Sequence, residues 1–182
     1  MSQRAVVVVD IQNEYFPQGN FPLVGIEAAA ANAAKVIAAA RSNGDLVIHV
    51  RHEMPGPDAP IFVPGSDGVR INERVAPQDG ETVIVKNFAN SFRETALKQL
   101  LDDAGVTEVV VVGAMSHMCI DATVRAAVDF GYTTTTLHDA CATRDLEFGG
   151  HTVPAAQVHT AQMAALAFMY GEVTDTASFL AR

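Results

Sequence analysis

The chain has 182 residues, with 12 Lys and Arg against 21 Asp and Glu, a formal charge of −9 when histidine is neutral. Apolar residues make up 49% and charged residues 18%, too apolar for a disordered chain and ordinary for a folded one. The acidic balance excludes nucleic acid as the main partner, because phosphate binding needs clustered Lys and Arg. No apolar run approaches the ~20 residues needed to cross a bilayer, so no membrane partner is expected.

The length fits a single domain over residues 1–182. Cys119 and Cys141 are the two cysteines, too few for a disulfide framework, and a reducing, cytoplasmic setting fits better. The opening MSQRAVVVVDIQ is neither a signal peptide nor a span, because Asp10 cuts its apolar run short.

In chain order, residues 5–9 form the first β-rich run and end at Asp10. Residues 13–23 hold Pro17, Gly19 and Pro22 and fit neither period. An Ala-rich helix is predicted over 26–42, closed by Asn43-Gly44. A strand over 46–50 runs into Arg51 and His52. Residues 53–80 hold five prolines and four glycines and read as a long loop. Long loops in a compact domain are more often functional than idle. A strand over 82–85 ends at Lys86, and a helix over 92–104 places Leu97, Leu100 and Leu101 at helical spacing. A strand over 108–112 leads through Gly113-Ala114-Met115-Ser116 into a helix over 117–130, with Cys119 in its first turn. Then follow a strand over 133–137, a loop over 143–152, a helix over 153–169 and a weak strand over 172–176.

The first four runs are mostly Val, Leu and Ile without alternation, which suits strands covered on both faces. The predicted fold is therefore α/β: one doubly wound, mostly parallel, Rossmann-like sheet of about six strands with helices on both faces. Ligands of such sheets sit beyond the carboxyl ends of the strands. Asp10, Lys86 and Cys119 all follow strands, so topology alone gathers them on one edge.

The three make chemical sense together. A thiol attacks as thiolate, and its free pKa is ~8.5. An ammonium and a helix N-terminus both stabilise the thiolate. Asp10 can take the thiol proton and later deliver it to a leaving group. Backbone N–H groups before Cys119 can bind an oxyanion. Each residue alone has a bland reading: a capping Asp, a solvated Lys, a buried Cys. The joint placement is what points to catalysis. Cys141 has no acid–base pair beside it in sequence and reads as structural. Phe16, Phe88 and Phe92 are candidates for an apolar substrate wall, with plain core as the alternative. His117 and Met118 flank the nucleophile but point away from it by helix geometry. A dinucleotide site is excluded because Asp10-Ile11-Gln12-Asn13 replaces the Gly-rich turn, and a phosphate-binding loop is absent too. No cofactor is expected.

The blocks VVVVDIQN at 6–13, VIVKNFANSF at 83–92 and VVVGAMSHMCIDATVRAA at 110–127, followed by Gly131-Tyr132 and Asp139-Ala140, resemble the isochorismatase-like cysteine hydrolases. That family includes nicotinamidases, N-carbamoyl amidohydrolases and isochorismatases. The resemblance implies a catalytic triad of Cys119, Asp10 and Lys86. It implies a non-proline cis peptide at Ala114–Met115, with the Met115 and Cys119 N–H groups forming the oxyanion hole. It also implies hydrolysis of a small amide or carbamoyl substrate through a thioester. Relatives often form dimers or tetramers, so a homo-oligomer is expected.

Nicotinamidases carry a metal-binding Asp-x-His after the second strand and a further His beyond it. Here the segment reads His49-Val50-Arg51-His52-Glu53-Met54, and no His follows before Thr82. A metal site of that kind is therefore not expected, and His52 reads as a site-wall residue. Two alternatives remain: vinyl-ether hydrolysis of the isochorismatase type, and a non-catalytic binding module on the same fold.

Overall fold

The computed structural model describes residues 3–182 except Pro57; Met1, Ser2 and Pro57, the last within the 53–80 loop, lie outside the described residues. Six parallel strands form the main sheet: β1 (Arg4–Val9), β2 (Leu46–His52), β3 (Thr82–Lys86), β4 (Glu108–Ala114), β5 (Thr133–Ala142) and β8 (Glu172–Thr174). Their spatial order is β3-β2-β1-β4-β5-β8.

The near-continuous valine runs of β1 and β4 are explained by two covered faces, whereas β3, expected to be covered likewise, is an edge strand that leaves Val83 and Val85 exposed. Val6, Val8, Val110 and Val112 pack on α1 (Ile26–Asn43) and on Phe179 of α5 (Thr176–Leu180). Ala5, Val7, Val9, Val109 and Val111 pack on the other side. There they meet Leu97 and Leu101 of α2 (Leu97–Asp103), Val124 and Ala127 of α3 (Asp121–Asp129), and Leu166 of α4 (Ala155–Met169). Each fully buried Val or Leu stabilises the fold by about 1.5–3 kcal/mol relative to exposure.

Several elements depart from the sequence reading, each for a visible reason. Strands β2, β3 and β4 continue past their apolar runs to His52, Lys86 and Ala114, because backbone pairing continues where the side chains turn polar. Strand β5 likewise runs to Ala142, with a register shift opposite Val111 and Gly113. Helix α2 starts at Leu97 rather than at Phe92. Before it, Thr95 Oγ1 donates to the Ser91 carbonyl at 2.6 Å and accepts from the Leu97 N–H at 3.2 Å. Such hydroxyls offer the backbone an alternative to helix. The helix expected over 117–130 opens as a π-helical turn, Ser116–Ile120, before α3. The expected loop at 143–152 contains a hairpin, β6 (Leu146–Phe148) and β7 (His151–Val153).

Candidate active site

Strand order reverses between β1 and β4, and the crevice lies beyond their carboxyl ends. Gly113 allows those ends to close up. A Cβ there would lie 1.9 Å from the Val9 carbonyl oxygen, and its φ of 132° suits glycine alone. The chain turns sharply at Asp10, which takes φ 52°, a left-handed conformation that Asp tolerates better than most residues. That turn directs the Asp10 carboxyl into the protein, where it is fully buried. Beyond β4, the Ala114–Met115 peptide is cis and the π-helical turn carries Cys119. A π turn is held by i→i+5 bonds, as in the Ile120 N–H to Met115 carbonyl bond of 3.2 Å, and such turns recur at functional sites.

Lys86 is the centre of the cluster. Its Nζ lies 2.7 Å from Asp10 Oδ2, 2.8 Å from His52 Nδ1, 3.1 Å from the Phe88 carbonyl oxygen and 3.2 Å from Cys119 Sγ. An ammonium has three N–H donors, so four acceptors share them. Asp10 and Lys86 are both buried, and each neutralises a charge that would otherwise cost several kcal/mol to bury. Burial acts to lower the Lys86 pKa, but the charges of Asp10 and Cys119 outweigh it and hold the ammonium above its ordinary value. The Asp10 Oδ1 oxygen has no partner beyond the adjacent thiol.

The thiol does not rest in the state expected from sequence. Burial pushes the Cys119 pKa up, Asp10 adds to this, and Lys86 opposes it without winning. Cys119 therefore rests as a thiol beside a carboxylate, not as a preformed thiolate. His52 is held below its ordinary pKa, first by burial and then by Lys86, with Asp10 opposing. Because Nδ1 faces an ammonium, it must offer its lone pair, so the ring is neutral with its proton on Nε2.

The structure brings Asp10, Lys86, Cys119, His52, Ala114 and Met115 together and separates the phenylalanines. Phe92 packs in the core against Phe130 at 5.2 Å and Tyr132 at 6.3 Å, so it is not a pocket wall. The Phe88 ring lies under the Arg93 guanidinium at 3.6 Å; its contribution to the site is the carbonyl that meets Lys86. Phe16 lines a cavity of about 790 Å³ between the 13–20 and 60–76 segments that contains none of the triad.

Sequence reading missed three neighbours. Gln12 brackets the His52 backbone, accepting from its N–H and donating to its carbonyl, both at 2.9 Å. Phe62 stacks on the His52 ring at 5.4 Å and meets the Tyr15 ring edge-on at 5.0 Å. Tyr15 is buried, and its pKa is raised by burial first and then by the nearby Asp10 and Cys119. No local signal marks Phe62, because the long loop delivers it. Tyr15 lies in the 13–23 stretch, which fits neither period, so no periodic signal marks it either. Two further histidines also find partners: His117 Nδ1 lies 2.6 Å from Thr143 Oγ1, and His159 Nδ1 lies 2.8 Å from Ser116 Oγ. Those two bonds brace the turn that carries the nucleophile. Cys141 is buried, and its pKa is pushed up to about 12, chiefly by burial.

Asp10, His52 and Cys119 each offer one potential metal-ligand atom, all within 4.8 Å of one another. The Lys86 ammonium already stands within 3.2 Å of all three, so the protein supplies its own cation there.

A strand-end thiol, carboxylate and ammonium on a doubly wound sheet define the class, and the comparisons agree. The family model for the isochorismatase domain matches residues 4–178, and the chain belongs to the isochorismatase family of hydrolases. It is 50% identical to the isochorismatase family protein YddQ of Bacillus subtilis, over 97% of this chain and 98% of that one. It is 31% identical to maleamate amidohydrolase of Pseudomonas putida, over 93% of this chain and 81% of that one. An isochorismatase-family hydrolase from Oleispira antarctica superposes with a TM-score of 0.95 at 53% identity, covering 98% and 96% of the two chains. A cysteine hydrolase from Pseudomonas syringae superposes with a TM-score of 0.92 at 28% identity, covering 98% and 91%. Among the described residues, no helix is long and apolar enough to cross a membrane.

Proposed function

We propose that this hydrolase is an amidohydrolase that cleaves a C–N bond of a small amide or carbamoyl compound through a thioester on Cys119. The observation that carries the reading is the buried Asp10–Lys86 pair at 2.7 Å with the Cys119 sulfur 3.2 Å from the same ammonium. Cys119 Sγ attacks the carbonyl carbon as the thiol proton passes to Asp10. Lys86 steadies the sulfur, and the Met115 and Cys119 N–H groups receive the oxyanion. The C–N bond then breaks, and the amine leaves with the proton from Asp10. Water adds to the thioester, giving a proton to Asp10, and the C–S bond breaks as the sulfur recovers that proton. A resting thiol beside a carboxylate suits this order, since proton removal accompanies attack. The maleamate amidohydrolase relative supports an amide substrate.

The test is ammonia release across a panel of small amides and carbamoyl compounds, with Cys119→Ala as control. Full activity in that variant overturns the reading. The second reading, vinyl-ether hydrolysis, does not depend on a nucleophilic thiol in the same way, and conversion of isochorismate to pyruvate would establish it.

Association into a dimer or tetramer is part of the same proposal and rests on family resemblance. Ala29, Ala30, Ala33 and Ala40 of α1 are turned into the core, so the Ala-rich sequence is explained there by packing alone. A monomer by light scattering refutes the proposal of association.

A further inference from the structure

The triad and its oxyanion donors act on the scissile group, yet two further donors stand beside them unused. The Nδ1 atom of His52 is committed to Lys86 at 2.8 Å, which leaves the proton on Nε2. Nε2 has no hydrogen-bond partner among the described residues and is not sealed off; the side chain keeps 15% of its surface exposed. The Tyr15 hydroxyl is likewise without a hydrogen-bond partner among the described residues, and the ring is otherwise buried. Both rings rest on one support. Phe62 stacks flat on His52 and meets Tyr15 edge-on, at 5.4 and 5.0 Å. Gln12 fixes the His52 backbone from the other side. Side chains held this firmly, with a free N–H and a free O–H, are what a specific polar contact requires.

We propose that Tyr15 Oη–H and His52 Nε2–H form a neutral donor pair that selects substrates carrying a second carbonyl-type oxygen on the acyl side of the scissile C–N bond. This deepens the amidohydrolase reading and rests on it for the reaction, though not for binding. The charge count favours an oxygen acceptor over a cation or a plain alkyl chain. Asp10 and Lys86 cancel each other, His52 is neutral, and the spare Asp10 oxygen is kept for the Cys119 proton, so the polar groups left over for a substrate are the two donors. A substrate without an acceptor leaves both donors dry and unpaired, and sites built to hydrogen-bond a group reject analogues that lack it.

The discriminating pair is succinamide and butyramide, which share a four-carbon chain and differ at its far end, a second carboxamide against a methyl group. Binding is read by NMR titration of the Cys119→Ala protein, and turnover by kcat/KM of the parent. Succinamide is expected to bind about thirtyfold tighter than butyramide, since each of the two neutral hydrogen bonds contributes about 1 kcal/mol and 1.4 kcal/mol is tenfold. Tyr15→Phe and His52→Asn should each weaken succinamide far more than butyramide and so erase much of that ratio. His52→Gln, which returns a donor near the Nε2 position, should keep the ratio, whereas His52→Asn keeps a carbonyl acceptor toward Lys86 and its amide donors fall short of the Nε2 position. Equal losses for both amides, or a parent ratio near one, overturn the donor pair. Selective binding of succinamide without ammonia release upholds the donor pair and removes the hydrolase reading instead.

Discussion

Two charge clusters sit against this sheet, one half-buried and one buried, and they are built differently. At the start of β3, Glu81 receives the Arg41 guanidinium in two parallel bonds of 2.7 and 2.8 Å, the Gln78 N–H at 2.8 Å and His49 Nε2 at 3.0 Å. Every oxygen of that carboxylate is engaged, and the bidentate Arg41 bond does most to hold its pKa down to about 2. At the far end of the strands, Lys86 divides three protons among four acceptors, and Asp10 keeps one oxygen for a thiol proton. The same residue types thus make a closed cluster that holds the fold and an open one that can exchange protons. What separates them is the carboxylate: fully engaged at Glu81, where only His49 Nδ1 goes without a partner among the described residues, and left with a spare oxygen at Asp10.

The largest expected effect is on the open cluster. Cys119→Ala should cost about a thousandfold or more in turnover with little change in melting temperature, since triad members act as a unit. Lys86→Met should abolish turnover and also destabilise by about 3–5 kcal/mol, because it strands the Asp10 charge in the interior. A stable, active Lys86→Met protein would erase the distinction between the clusters.

The closed cluster should behave the other way. Glu81→Gln should lower stability by about 1–3 kcal/mol by leaving Arg41 and His49 poorly matched, while turnover stays near that of the parent. The pH dependence has a definite sign. The folded Glu81 carboxyl titrates near 2 against an ordinary 4.5, so its contribution is complete above pH 4.5 and is lost as pH falls toward 2. His49, held below 6.5 chiefly by burial, adds a loss of the same sign as pH falls below 6.5. Melting temperature against pH for the parent and Glu81→Gln should converge at the acid end.

A smaller effect sharpens the account of the thiol. Alkylation of Cys119 by iodoacetamide, followed by intact mass against pH, should have a midpoint above that of a free thiol. Asp10→Asn should lower it, since Asp10 helps to push the thiol up. A midpoint below about 8.5 in the parent would restore the preformed thiolate. The smallest change should come from Phe88→Leu, which keeps the carbonyl that meets Lys86 and removes only a ring that lies under Arg93.

Much of the site was legible before any coordinates. Valine runs with no alternation required a sheet covered on both faces, and strand ends then had to carry the polar residues Asp10 and Lys86. The thiol's environment was not legible in the same way. Sequence placed an ammonium and a helix start near Cys119, which argues for a thiolate, but burial outweighed both. Burial is a property of what packs around an atom, and neighbours along the chain do not reveal it.

The same division separates the aromatic residues. Phe16, Phe88 and Phe92 are candidates for an apolar wall on sequence, with plain core as the alternative, yet Phe92 packs in the core and the Phe88 ring meets Arg93. Phe62, Tyr15 and Gln12 took their place around His52. The sequence by itself determined the parallel sheet, the crevice and the three residues that topology must gather there, because period and strand ends are local properties. Only the tertiary structure decided which side chains surround them, which protons are shared and which oxygen stays free, because those depend on segments up to about a hundred residues apart meeting at one point.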